Sequence, residues 1–139
     1  RLSFVLTRVG AVMPLTWSAT GLAFTAFLPQ SVTHRLVTAE LELNRGTAGT
    51  QAPRTKKDLD AMVAQIKEHG LARIQGTVTP GTNALGVPVF NHQGEVVSVI
   101  TILVSERNVE ISWDGKTARA ILETARRIST KLGYVTSKK

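Results

Sequence analysis

The sequence predicts an α+β fold in which helices pack on an antiparallel sheet, and three observations carry that prediction. Residues 85–90 and 95–104 are runs of β-branched and apolar side chains joined by Asn91, His92, Gln93 and Gly94, a polar turn of the kind that closes a β-hairpin. Apolar residues recur at helical spacing on both sides of it, as Leu59, Met62, Val63 and Ile66 before and Ala118, Ile121, Leu122, Ala125, Ile128 and Leu132 after. The resulting order of strand, helices, strands and helix, with a hairpin that must be antiparallel, fits helices laid on a sheet.

Residues 1–12 hold β-prone side chains (Leu2, Phe4, Val5, Leu6, Val9, Val12) and predict a first strand. Ser18 is placed to cap a helix to Leu28, because Ala19, Leu22, Ala23, Ala26 and Phe27 fall on one helical face, and Pro29 stops it. Ser31 can cap a second helix carrying Val32, Leu36, Val37 and Leu43 on one side, followed by a loop over 44–53. Thr55 with Asp58 resembles a capping box opening a third helix that Gly70 closes, and residues 71–75 read as a strand. A loop over 77–83 contains Pro80, Gly81, Thr82 and Asn83; a tight turn is its ordinary meaning, and a backbone approaching a ligand is the other. Both hairpin arms are apolar on nearly every residue, a pattern for strands covered on both faces. After a linker over 105–114 comes the last helix, with Gly133 as its stop.

At 139 residues and 42% hydrophobic, the chain can build one domain with its own core. It contains no cysteine, which removes disulfides, thiolate metal sites and cysteine nucleophiles together and agrees with a reducing cytoplasm. The formal net charge of +7 and pI near 10.4 favour acidic partners. The basic residues are scattered, however, and no basic helix with interleaved aromatics offers a nucleic-acid surface. Between Arg8 and Arg35 no charged side chain occurs, but Pro14, Thr16, Ser18, Thr20, Gly21 and Thr25 break the run well short of a membrane span.

Catalysis needs a base, a nucleophile and a group that orients them. His34, His69 and His92 fall on separate elements, Glu40 with Glu42 and Asp58 with Asp60 are spaced for different helix faces, and the glycines match no phosphate-binding motif. Neither an enzyme nor a metal or cofactor site is expected. What remains is the start of the helix after Ser18, whose amides at Ala19, Thr20 and Gly21 outline a carboxylate site. Water or a neighbouring loop would fill the same place equally well.

Two segments together resemble the IclR family of bacterial transcription regulators: MPLTWSATGLAFTAFLP at 13–29, and the stretch over 81–103 in which Pro88, Val89, Phe90, Asn91, Gly94, Val96, Val97 and Thr101 hold the places of a second signature. The closing RRISTKLG is also similar to the family's C-terminal segment. The resemblance implies a GAF-like or profilin-like effector-binding domain, an antiparallel sheet with helices on its faces, which binds a small organic acid. It implies homodimers or tetramers in the cytoplasm. DNA would be bound only through a winged helix-turn-helix module preceding residue 1, and the abrupt start without Met suggests a domain truncated at its N-terminus.

The same resemblance implies a pocket in which Leu15 is an apolar wall and the amides of Ala19 and Thr20 hold the ligand carboxylate. Gln75 would stand where an acidic residue is common, Ala84 beside the glycine loop, and Thr101 and Leu103 on the last hairpin strand, with the Thr101 hydroxyl donating. Thr16 replaces the family's usual His, Leu22 its Lys, Asn83 and Ala84 an Arg-Cys type pair, and Leu103 a small polar residue. Those replacements suit a less polar acid, an aromatic one among them. A purely structural oligomerisation module and direct binding of nucleic acid are the competing roles.

Overall fold

The computed structural model describes residues 8–47, 51–76, 80–107 and 109–136. Among them the chain forms α1 (Ala19–Phe27), α2 (Gln30–Arg45), α3 (Lys56–His69), β1 (Ala72–Gln75), β2 (Thr82–Phe90), β3 (Val96–Ser105) and α4 (Lys116–Lys131). The strands make one antiparallel sheet in the order β1-β2-β3. The fold is α+β, with α1 and α3 on one face of the sheet and α4 on the other.

Local chemistry sets the helix ends. The Ser18 hydroxyl accepts from the Gly21 amide at 2.9 Å to start α1, and Thr55 accepts from the Asp58 amide to start α3. Gly70 ends α3 in the left-handed region at φ 77°, a conformation open to glycine at little cost. Pro29 ends α1 and stands at the N-cap of α2, which has no side-chain cap, so Ser31 lies inside that helix and does not cap it as the sequence suggested. In the hairpin turn the Asn91 side-chain oxygen accepts from the amides of Gln93 and Glu95, and Gly94 takes φ 77°. A bulge at Val89 and Phe90 adjoins that turn.

Two apolar clusters flank the sheet. Ala19, Leu22, Ala23 and Ala26 of α1 meet Leu59 and Ile66 of α3 over Ala72, Ile74 and Ala84. On the opposite face Leu85, Val87 and Val89 meet Ala118, Ile121 and Ala125 of α4, closed by Leu71 and Ile111. The alternation of β2 residues between these clusters explains why its apolar run is unbroken, since both of its faces are covered.

Several elements differ from what the sequence predicts. The first strand falls mostly on residues 1–7, outside the described part; residues 8–12 are not a strand, and Arg8 to Ala11 make a turn with Gly10 at φ 90°. Thr82 and Asn83 belong to β2 rather than to a loop, and Asn44 and Arg45 to α2. Coverage on both faces holds for β2 but not β3, where Val97 is 51% exposed, because β3 borders the sheet among the described strands. In α2 the buried positions are Thr33, Val37, Leu41 and Asn44, while Val32, Leu36 and Leu43 face solvent. The α4 stripe is narrower than its spacing suggested: Ala118, Ile121, Ala125 and Ser129 are buried, and Ile128 and Leu132 are exposed.

Candidate ligand-binding site

Gly86 fixes where α1 meets the sheet. A Cβ built there would lie 2.7 Å from the Ala19 carbonyl oxygen and 3.4 Å from the Thr20 nitrogen, so only glycine lets the first turn of α1 settle on β2. Thr101 of β3 is the cross-strand neighbour of Gly86. As a result the Thr20 and Thr101 hydroxyl oxygens stand 2.6 Å apart, one hydrogen-bonded to the other. Glycine in the middle of a β-branched run was the sequence signal for this close approach.

The segment entering α1 is held from below. A Cβ on Gly21 would fall 2.0 Å from the Pro14 carbonyl oxygen, which itself accepts from the Ser18 hydroxyl at 2.6 Å. The Glu40 carboxylate accepts from the amides of Leu15 at 2.9 Å and Thr16 at 2.7 Å, and also from the Thr16 hydroxyl. The Asn44 side-chain amide donates to the Thr16 oxygen at 2.9 Å and to the Pro53 carbonyl at 2.8 Å. Thr16 and Asn44 are both buried, so each of these polar groups would cost free energy if left unpaired. Glu40 and Asn44 are therefore structural anchors of the site, and Asn44 belongs to α2, not to the loop the sequence suggested.

The structure brings most of the implied residues into one region. Thr20 and Thr101 touch, Ala19 lies against Gly86, and Ala84 pairs with Leu103 one step further along the same face. Leu15 is half-buried above them and packs on the α1 cluster, its carbonyl accepting from Thr25. Ala84 is buried beneath that cluster, whereas Leu103 is 43% exposed. Gln75 is set apart: it pairs with Asn83 and alternates with the buried Ile74, so its side chain leaves the sheet on the face away from Ala84. It lines a cleft of about 180 Å³ at the β1 edge with Trp17, Met62 and Trp113.

The start of α1 offers two amides rather than the three expected, because Ser18 occupies that of Gly21. Those of Ala19 and Thr20 have no acceptor among the described residues. A larger cavity, about 520 Å³, lies elsewhere, between α4 and the end of β2, lined by Val87, Phe90, Leu122, Ala125 and Tyr134 together with the charged residues Arg119, Glu123 and Arg126. None of the implied site residues borders it. Among the described residues no cluster of His, Cys, Asp or Glu could hold a metal ion, and no helix is long and apolar enough to cross a membrane.

Residues 2–130 match the family model described as bacterial transcriptional regulator IclR C-terminal. Among solved structures, Pseudomonas aeruginosa HmgR is 34% identical with a TM-score of 0.82, over 99% of this chain and 52% of that one. The Agobacterium tumefaciens repressor BlcR shares the fold at 20% identity and a TM-score of 0.75, over 94% of this chain and 51% of its own. The C-terminal domain of the E. coli regulator KdgR is 25% identical with a TM-score of 0.67, over 87% of this chain and 72% of that one. No curated protein matches the sequence significantly. The chain thus spans about half the length of HmgR and BlcR. Its sequence and its fold agree, and the chain belongs to the IclR C-terminal family of bacterial transcriptional regulators.

Proposed function

We propose that this chain is a ligand-sensing domain that binds a small organic acid and so controls DNA binding by a winged helix-turn-helix module of its parent protein. The observation that carries this role is the seating of the first turn of α1 on Gly86, which sets the Thr20 hydroxyl against Thr101 beside two amides without an acceptor among the described residues. A ligand carboxylate placed past the helix start accepts from the Ala19 and Thr20 amides, where the helix dipole favours negative charge. In a pair of hydroxyls only one O–H is used, so the Thr20 and Thr101 pair keeps one donor for the ligand. Leu15, Ala84 and Leu103 then wall its body, which suits an acid with an apolar or aromatic part.

A ligand shifts a regulator only by binding one arrangement of its DNA-binding heads better than the other, by about 1.4 kcal/mol for each tenfold change in their ratio. The parent protein would act in the cytoplasm as a homodimer or tetramer and without catalysis. Isothermal titration of the folded chain against a panel of small aliphatic and aromatic carboxylates tests the proposal. Saturable binding to a subset is expected, and flat traces for every acid would sink it.

A further inference from the structure

The exposed face of α2 carries Val32, Leu36, Ala39 and Leu43, spaced by four, three and four residues, which is the alternation of a heptad seam. Val32 is 59%, Leu36 64% and Leu43 73% exposed, and Ala39 is exposed as well. This stripe lies roughly 120° around the helix from the buried positions Thr33, Val37, Leu41 and Asn44. It is therefore a second apolar face, which the core formed by the described residues does not use.

Its flanking charges select an occupant. On the side of the stripe away from the core stand Arg35 and Glu42, both exposed; Glu42 meets only Arg45 of its own helix, and Arg35 has no acidic partner among the described residues. We propose that α2 docks antiparallel on α2 of a second copy, Val32 facing Leu43 and Leu36 facing Ala39 across a two-fold axis. In that register Arg35 of each copy stands beside Glu42 of the other, twice by symmetry. A parallel pairing would instead direct Arg35 toward Glu40, whose carboxylate is already committed to Leu15 and Thr16. The inference is independent of ligand binding.

The seam spans about 16 Å of helix at 1.5 Å per residue, a short contact that forms reversibly and adds to whatever other surfaces join the parent protein. Sedimentation of this chain from micromolar to millimolar concentration should show a monomer–dimer equilibrium. Leu36→Glu should raise the dissociation constant at least about tenfold, as loss of a central apolar anchor does. Arg35→Glu should raise it roughly fivefold, and Arg35→Glu with Glu42→Arg should restore it. Circular dichroism checks that each variant keeps its fold, which these solvent-facing positions should allow.

Orientation is read by cross-linking, since the chain has no cysteine of its own. Oxidising a mixture of Val32→Cys and Leu43→Cys chains should give the mixed disulfide, while Val32→Cys alone should not cross-link, its two copies being about 16 Å apart along the axis. A monomer at every concentration, a dimer indifferent to Leu36→Glu, or efficient cross-linking of Val32→Cys to itself would each overturn the proposal.

Discussion

Two residues decide how the site is held, and each makes a sharp prediction. Glu40 satisfies two amides and a buried hydroxyl from a different part of the chain. Replacing it by Ala strands those donors and should cost about 2–3 kcal/mol in urea unfolding, the scale for hydrogen bonds to a charged group. Glu40→Gln keeps one acceptor oxygen and should cost clearly less. Gly86 acts by having no side chain, and Gly86→Ala should destabilise by about 1–3 kcal/mol as its methyl pushes on the Ala19 carbonyl. The same substitution should separate Thr20 from Thr101, visible as a change in their NMR shifts. Indifference of stability to Gly86→Ala would show that α1 does not need this close approach.

At the scale of elements, caps and turns are the most legible parts of the sequence, the Ser31 cap of α2 excepted. Ser18, Thr55, Gly70 and the Asn91 to Gly94 turn act through short-range chemistry that is written in adjacent residues. The exposed faces of α2 and α4 are not legible for the opposite reason. Spacing states that an apolar stripe exists, not which stripe the core takes, and α2 carries one stripe for the core and another toward solvent. The amides of Ala19 and Thr20 are legible from the helix start and Thr101 and Leu103 only through the family resemblance, while the roles of Glu40 and Asn44 depend on partners far away in sequence.

The junction of α4 with the sheet offers an element-level test. The Ser129 hydroxyl accepts from the Phe90 amide at 3.0 Å, beside the bulge that ends β2, and donates to the Ala125 carbonyl. Ser129→Ala leaves that amide without its acceptor and should lower unfolding free energy by about 1–3 kcal/mol. Hydrogen exchange at Phe90 should accelerate in parallel. Unchanged exchange would mean that the strand end is held by other contacts.

Across the whole molecule, the sheet divides two regions with different prospects for ligands. One face carries the start of α1 with Thr20, Thr101 and Leu103, and the other carries the roomier cavity beside α4. The second is the larger and has Arg119 and the ion-paired Glu123 and Arg126 in its lining, so a carboxylate held there is the competing arrangement. The first offers two amides at a helix start and a spare hydroxyl donor, the groups a carboxylate requires. If the first face is the sensor, Thr101→Val should weaken carboxylate binding by about tenfold, as removal of one hydrogen bond to a charged group implies, with little effect on folding. The most direct measurement is backbone amide NMR of the chain titrated with small carboxylic acids, benzoate among them. Saturable shifts centred on Ala19, Thr20 and Thr101, absent in Thr101→Val, are the predicted result; shifts centred instead on Leu122 and Ala125, or none with any acid, would contradict it.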